Sequence, residues 1–383
     1  MKKLHFHSFD AFRFFAFLKV FLLHAPLVMA ASNPEWISWA KEYITYGGGI
    51  GVSFFFVLSG FLITYILTFD KINQGNISPK RFFIRRAFRI WPLFYLMVLI
   101  ALVIPPDFAQ HIGFHMNGGG YEPDWRFSLT FTENIQMIIQ DNVPKTTPLS
   151  VFWSLCIEEQ FYILWMIVFF FLKKKWIPVF LITSVLFAIG WRVFEPSIYG
   201  NDRVTWHGLF SNLDYFSISG LLGFYVATNY KKVADFVNRI PLWVRWSYVA
   251  GVVLMIFFLA AIFERDVYIL KVLYYTITAT VFTGLLLIFI PQDSKIRFSE
   301  KNVFTKLGKI SYGLYVYHII WIHVIYKFYR DYSIEVDTIR NYVLFLMITF
   351  SLTVVTSFLS YKFFEMPILR LRDRIFPSKT KLK

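Results

Sequence analysis

Cysteine is nearly absent from this chain of 383 residues, and its single copy is Cys156. One cysteine cannot form an intramolecular disulfide, so the sequence excludes a disulfide-stapled fold and gives no indication of the redox compartment. Charged residues are also scarce, at 16% of the chain, while hydrophobic residues reach 57%. Ordinary soluble domains contain roughly 45–50% apolar residues. This composition predicts an all-α polytopic membrane protein.

Segments of about ten residues with alternating polarity are also missing, which disfavours a transmembrane β-barrel. The apolar runs are instead continuous and close to 20 residues long, which is the length that a helix needs to cross ~30 Å of hydrocarbon. We find no internal repeat. The sequence predicts about ten transmembrane helices, approximately at 9–31, 47–69, 90–105, 150–172, 176–194, 208–230, 246–263, 267–290, 310–329 and 339–362. The long connection 106–149 is predicted to be irregular, because its residues 117–125 are rich in turn formers.

The formal net charge of +15 would suggest a nucleic-acid partner in a soluble chain. In a membrane protein, the position of the basic residues sets the topology instead. With a cytoplasmic N-terminus, most of the 39 basic residues fall in cytoplasmic segments, while acids such as Glu133 and Glu195 fall in the opposite loops. We therefore expect both termini to be cytoplasmic, a single membrane domain over 1–383 with a basic tail at 366–383, and no nucleic-acid partner.

The first predicted span carries Arg13 and His24 among phenylalanines and leucines. Residues eleven apart on a helix project from nearly the same face, with ~16 Å between them along the axis. A charged group near the bilayer centre costs at least ~2.5–3.5 kcal/mol, and such groups usually face a bundle interior or a wet cavity. Arg13 near the inner face and His24 towards the outer face are therefore predicted to line one cavity.

Six motifs in order resemble those of the acyltransferase-3 family of integral membrane enzymes, and together they cover nearly the whole chain. The motifs are Arg13 with His24, 54-FFFVLSGFLI-63, 85-RRAFRIWPLFY-95, 152-FWSLCIEEQFY-162, 308-GKISYGLYVYH-318 and 363-FFEMP-367. The resemblance implies transfer of an acyl group, usually acetyl, from cytoplasmic acyl-CoA (acetyl-CoA) to a hydroxyl of a carbohydrate or lipid-linked glycan. It also implies a multi-pass protein of the bacterial cytoplasmic (inner) membrane, in contact with the lipid bilayer.

Larger family members add a C-terminal extracytoplasmic domain that resembles hydrolases. No such domain follows the last predicted span of this sequence. We therefore expect any second catalytic step to need a soluble extracytoplasmic partner protein.

The chemistry of the residues suits the implied reaction. A neutral imidazole can deprotonate a hydroxyl or carry an acyl group, and the sequence leaves both routes open for His24. A catalytic histidine is usually oriented by a carboxylate. Glu158 and Glu159 are predicted to lie at a similar depth to His24, given a rise of ~1.5 Å per residue. We favour Glu158 as the partner of His24, and Glu159 as a neighbour or a ligand of the sugar hydroxyls.

The phosphates of the donor are expected to bind Arg86 and Arg89, because a guanidinium binds phosphate oxygens bidentately. The alternative is that these arginines only mark the topology, since arginines collect in any cytoplasmic loop. Arg13 is placed to reach the same donor from the first span. Ser59 and Gly60 permit either close helix packing or a narrow passage for the pantetheine arm.

Three further residues are candidates for contact with the acceptor. Trp153 and Tyr162 are candidates for stacking on a sugar face, with packing as the alternative. His318 is a second cavity candidate, unless a neighbouring helix satisfies its polar ring.

Two other functions remain open from the sequence. A membrane exporter or transporter of a glycan or lipid would also use Arg and His in a transmembrane cavity, but the chain lacks the repeated halves that transporters often have. A non-enzymatic membrane scaffold would not need the matched polar positions of the first and fourth spans. The remaining histidines lack metal-ligand spacing supported by carboxylates, so we expect no metal.

Overall fold

The protein is described by a computed structural model over residues 4–27, 49–113, 120–145, 147–201, 203–259, 268–334, 336 and 338–376. Within these ranges the regular structure is helical, with one isolated bridge between Tyr121 and Pro144. The α-helices of these ranges are α1 (His7–Leu27), α2 (Gly49–Gln74), α3 (Pro79–Val103), α4 (Pro106–His111), α5 (Trp125–Leu129), α6 (Glu133–Gln140), α7 (Trp153–Phe171), α8 (Ile177–Tyr199), α9 (Arg203–His207), α10 (Leu213–Arg239), α11 (Leu242–Leu254), α12 (Tyr268–Ile288), α13 (Val303–Lys309), α14 (Ser311–Asp331), α15 (Ile339–Ser360) and α16 (Met366–Ile375).

Each of the ten predicted spans overlaps a described helix, and the regular structure of the described residues is helical, so the all-α fold class is confirmed. In the described part of the chain, five helical segments are long and apolar enough to cross a membrane, namely Gly49–Gln74, Pro79–Val103, Trp153–Phe171, Lys174–Glu195 and Ile339–Ile375. The pair Phe210–Arg239 and Leu242–Phe257 passes the same test together, with a bend of 94° at its break. The count of ten spans and the cytoplasmic position of both termini stay predictions.

The chain divides into two compact units. Unit 1 comprises residues 1–27, 33–77 and 154–309, and unit 2 comprises residues 28–32, 78–153 and 310–383. The described helices α1, α2 and α8–α13, with α7 from Ser154 onward, belong to unit 1. The helices α3–α6 and α14–α16 belong to unit 2. A single functional domain over 1–383 stays a prediction.

The centre of unit 1 is the packing of α2 on α10. A Cβ at Gly60 would lie 2.5 Å from the Phe216 carbonyl oxygen, and a Cβ at Gly223 would collide with the carbonyl oxygen of Phe61. The two helices can approach this closely because glycine presents no side chain at either contact. Phe216 also stacks on Phe161 of α7, with 3.9 Å between the ring centroids. This packing fixes the side-by-side positions of α2, α7 and α10.

Helix α1 is held in unit 1 by close packing against α13. The space beside Gly308 is filled by the backbone of Asp10, so a Cβ at Gly308 would overlap that carbonyl group. The rings of Phe14 and Phe304 stack next to this contact, with 5.6 Å between their centroids. The contact positions the N-terminal half of α1, which carries Arg13.

In unit 2, two tyrosines of α14 hold neighbouring backbone segments. The Tyr312 hydroxyl donates to the Ile90 carbonyl at 2.7 Å, and the Tyr315 hydroxyl donates to the Val151 carbonyl at 2.9 Å. Because Ile90 lies one residue after Arg89, the first bond ties the arginine-bearing turn of α3 to α14.

The prediction of an irregular connection over 106–149 is wrong in part, because its described residues include the helices α4, α5 and α6. Residues 120–124, within the stretch rich in turn formers, form no helix, as predicted. Glu133 begins α6 with 1% of its surface exposed, and it accepts hydrogen bonds of 2.7 Å from the hydroxyls of Tyr121 and Ser128. Burial raises the pKa of this carboxyl. The segment is organised by a buried polar residue and by helices of only five to eight residues, which are too short for periodicity to indicate reliably.

We expect Gly223→Ala to lower the stability of the protein by about 1–3 kcal/mol, because the new methyl group would overpack the contact between α2 and α10. Gly190 of α8 is the matched control, since nothing lies within 4 Å of a Cβ there. Gly190→Ala is expected to be neutral or slightly stabilising, because alanine favours a helix over glycine. Thermal unfolding of the detergent-solubilised protein measures both, and equal shifts would contradict the described packing.

Candidate functional site

The structure brings three of the sequence-predicted site residues together in unit 1. The Ser59 hydroxyl of α2 donates to one carboxylate oxygen of Glu158 on α7, at 2.6 Å. The Tyr162 hydroxyl, one turn further along α7, donates to the other oxygen at 3.2 Å. Glu158 is half-buried. Two hydroxyl groups thus fix the direction of this carboxylate, which belongs to a different sequence motif from Ser59.

The two hydrogen bonds involve both oxygens of the Glu158 carboxylate, with the Ser59 hydroxyl on one and the Tyr162 hydroxyl on the other. Residues from α2 and α7 therefore act together on this side chain.

His24 lies in the last turn of α1 and is half-buried in the same unit as Glu158. The helix is continuous from His7 to Leu27, so Arg13 and His24 lie on nearly the same face of α1, as the spacing predicts. The pairing of His24 with Glu158 stays a prediction.

Arg13 forms an ion pair with Asp10, three residues earlier on α1. The side chains of the two residues are 19% and 11% exposed. A partly buried guanidinium needs such a counterion, because an uncompensated charge would be strongly destabilising.

Glu159 is buried, with 4% of its surface exposed, whereas its neighbour Glu158 is half-buried. Consecutive residues on a helix point about 100° apart, so the two carboxylates face different surroundings. The structure therefore distinguishes the two glutamates, which the sequence alone does not. A role for Glu159 in binding an acceptor stays a prediction.

Gly60 follows Ser59 directly and contributes the close contact between α2 and α10 described above. Helix packing is therefore the role that the structure supports for Gly60. A narrow passage for part of a ligand stays a prediction.

In unit 2, the arginines of α3 lie near acidic residues. Arg86 is half-buried and Arg89 is exposed. The positive charge of Arg89 acts favourably on the carboxylate of Glu365, and the Arg85 guanidinium lies 3.7 Å from an Asp373 carboxylate oxygen. A bound anion would have to compete with these acidic side chains.

The remaining predicted site residues also belong to unit 2. Trp153 begins α7 and is half-buried. His318 of α14 is fully buried, and its Nδ1 lies 2.6 Å from the carbonyl oxygen of Tyr315 in the same helix. With Nδ1 donating to that carbonyl, Nε2 is left as the acceptor. Contact of either residue with an acceptor stays a prediction.

A buried polar network in unit 1 was missed by the sequence reasoning. The Arg192 guanidinium donates to an Asp214 carboxylate oxygen at 2.8 Å and to the Val272 carbonyl at 2.9 Å. Thr276 also donates to Asp214, at 2.7 Å. An arginine near the end of an apolar run is the signal that could have revealed this network.

The placement of Glu195 in an outer loop is wrong. Glu195 lies on α8, is fully buried and accepts a hydrogen bond from the Ser211 hydroxyl. The helix extends to Tyr199, five residues beyond the predicted end of the span at 194. Apolarity alone sets the predicted boundary too early, because a buried carboxylate looks like a loop residue in the sequence.

Among the residues that the structure describes, no group of three or more His, Cys, Asp or Glu side chains could hold a metal ion. The expectation that the protein needs no metal stays a prediction.

The sequence profile of the acyltransferase-3 family, described as an acyltransferase domain, matches residues 6–362 of the chain. The relatives include O-acetyltransferase OatA of Staphylococcus aureus strain NCTC 8325 / PS 47, which is 26% identical over 386 residues, with 98% of this chain and 59% of the relative covered. A second S. aureus protein, from strain COL, is provisionally named an O-acetyltransferase. It is 27% identical over 354 residues, with 85% of this chain and 53% of the relative covered.

The chain thus spans less than two thirds of the length of these curated relatives. No solved structure matches the chain.

We expect Asp214→Asn to destabilise the protein by about 3–5 kcal/mol, because it leaves the buried Arg192 charge without its counterion. Glu300→Gln is the matched control, since Glu300 forms an exposed pair with Lys309 at 3.0 Å and exposed pairs contribute little. The midpoint of thermal unfolding in detergent is the measurement. A similar small shift for both variants would show that the buried network does not stabilise the fold.

Proposed function

Because this chain belongs to the acyltransferase-3 family, we propose that it is a membrane-bound O-acyltransferase. In this proposal it transfers an acetyl group from cytoplasmic acetyl-CoA to a hydroxyl of a cell-surface glycan or a lipid-linked sugar precursor. The family match supports acyl transfer, and the names of the relatives support acetyl as the acyl group. Their bacterial source supports the cytoplasmic membrane as the location.

The proposal rests on one observation: the hydroxyls of Ser59 and Tyr162 donate hydrogen bonds to Glu158, in the same unit as His24. These residues come from three separate sequence motifs, and hydroxyl groups bind both oxygens of the Glu158 carboxylate. Such a carboxylate suits the orientation of an imidazole, because it holds the ring in one tautomer and stabilises the imidazolium form.

In the direct route, His24 takes the proton from the acceptor hydroxyl while the hydroxyl oxygen attacks the thioester carbonyl. The C–S bond then breaks, and His24 returns the proton to the departing sulfur. In the covalent route, the His24 imidazole attacks the thioester and releases the thiol, which leaves the acetyl group on the ring nitrogen. The acceptor hydroxyl then displaces the ring and takes the acetyl group.

Arg86, Arg89 and Arg13 are the proposed contacts for the phosphates of the donor. Their guanidinium groups suit phosphate because they bind two oxygens at once. The ion pair of Arg13 with Asp10 restricts the direction of that guanidinium group before the donor binds. Ser59 and Gly60 are proposed to border the path of the pantetheine arm.

Glu159, Trp153, Tyr162 and His318 are the proposed contacts for the acceptor. Aromatic side chains offer faces on which a sugar ring can stack, and Glu159 offers a hydrogen-bond acceptor for sugar hydroxyls. A soluble extracytoplasmic protein is proposed as a further partner.

A membrane exporter of a glycan or lipid is the second candidate. The 94° bend between α10 and α11 favours it, because broken helices are typical of transporters. The two functions differ in one observable: an exporter moves its substrate without breaking a thioester.

The test uses wild-type protein in nanodiscs with radiolabelled acetyl-CoA and a sugar acceptor, beside His24→Ala. We expect acetyl release and transfer to fall by at least about 100-fold in His24→Ala, as for loss of a general base. His111→Ala is the control, because His111 is an exposed histidine of α4. Label retained on the wild-type protein and absent from His24→Ala would favour the covalent route.

Turnover in His24→Ala equal to that of the wild type would contradict the proposed role of His24. In proteoliposomes that contain the protein, movement of a glycan or lipid across the membrane without thioester cleavage would favour the exporter.

A further inference from the structure

Unit 1 contains a cavity of about 510 Å³ that the proposed reaction does not use. Its wall is formed by α1, α2, α11 and α12 with the segment 295–298, and it is almost entirely apolar. The volume lies within the range of about 300–1,000 Å³ that is typical of ligand pockets. Representative wall residues are Leu18, Leu22, Val253, Ile256 and Leu285.

Three basic residues interrupt the apolar wall. Lys295 and Arg297 are exposed and line the cavity at the segment after α12. Lys19 is buried in the wall, with 5% of its surface exposed, and its ammonium group lies 5.0 Å from the centroid of the Phe257 ring. Among the described residues that line the cavity, none is acidic.

The basic residues lie at two depths. The segment 295–298 meets the first half of α1, since the Phe298 ring is 6.0 Å from that of Phe12 and 5.9 Å from that of Phe15. Lys19 is four residues beyond Phe15, which places it about 6 Å further along the helix. The cavity therefore has an exposed cationic end and a second cation deeper in its apolar wall.

We propose that this cavity binds an anionic phospholipid, with one acyl chain along the apolar wall and the phosphate against Lys295 and Arg297. Lys19 donates to the ester carbonyl oxygens, which lie deeper than the phosphate in such a lipid. The lining matches this ligand because it is cationic at the exposed end and, apart from Lys19, apolar elsewhere. Basic residues at the cytoplasmic side of membrane helices attract anionic lipids, and the segment 295–298 lies on the predicted cytoplasmic side.

The geometry of Arg297 supports a preformed site. Its guanidinium donates to the Gln292 carbonyl at 2.7 Å, which restricts the direction of the side chain while leaving other N–H groups for a phosphate. The proposal stands apart from the proposed acyl transfer, since none of its residues takes part in that reaction.

Native mass spectrometry of the purified full chain tests the headgroup contact. The protein is exchanged into mild detergent with equal amounts of phosphatidylglycerol and phosphatidylcholine. We expect the wild type to retain phosphatidylglycerol. The double variant Lys295→Ala/Arg297→Ala should lose about tenfold to thirtyfold in retention, because each basic residue near an anionic headgroup contributes roughly a fivefold factor.

The matched control is Lys231→Ala/Lys232→Ala, which removes two exposed charges of α10 that do not line the cavity. This variant is expected to retain phosphatidylglycerol as the wild type does. Equal retention of both lipids by the wild type, or an equal loss in both double variants, would overturn the proposal. Selective retention of a lipid-linked sugar in place of phospholipid would also overturn it.

A second measurement locates the acyl chain. Phosphatidylglycerol with a photoactivatable diazirine on its acyl chain should label peptides of α1 and α11 that border the cavity. Val253→Trp should reduce this labelling at least about fivefold, because the indole fills the cavity without changing a charge. Val253 is 48% exposed, so the larger side chain need not disturb the helix contacts. Labelling spread evenly over the apolar helices and unchanged in Val253→Trp would show general lipid contact only.

Discussion

The fixed orientation of Glu158 is the interaction on which the functional account depends. Its carboxylate is bound by hydroxyls from two different helices, so its position requires the close packing of α2 beside α7. That packing rests in turn on α10, where Gly60 and Gly223 allow backbone contact and Phe216 stacks on Phe161. A catalytic histidine needs such a rigid neighbour, because small displacements of a reacting group reduce its effectiveness steeply.

Buried charge in unit 1 is satisfied in two different ways. Arg192 and Asp214 are bound by each other and by the surrounding backbone and threonine groups, so their hydrogen-bonding capacity is used within the fold. Glu158 is half-buried and accepts from the hydroxyls of Ser59 and Tyr162, and the partly exposed Arg13 pairs with Asp10. A fully buried ion pair suits a structural role, whereas partly buried charges in a membrane segment suit function.

The helices could be predicted well from the sequence, because apolar runs of about 20 residues report directly on membrane helices. The contacts between polar residues that are distant in sequence could not be predicted. The contact of Ser59 with Glu158 joins residues 99 apart in sequence, and no local pattern encodes it. The same holds for Arg192 with Asp214, for the buried position of Glu195 and for the short helices around Glu133. Each depends on a polar group paired through tertiary contact, which apolar periodicity does not reveal.

The central claim is that His24 and Glu158 act as one unit in acyl transfer. The most direct measurement is a double-mutant cycle of acetyl transfer in nanodiscs, with His24→Ala, Glu158→Gln and the two combined. The account predicts that the double variant is no slower than His24→Ala alone, because residues that act as a unit have strongly non-additive effects. Losses that simply multiply would show that Glu158 acts independently of His24, and would contradict the account.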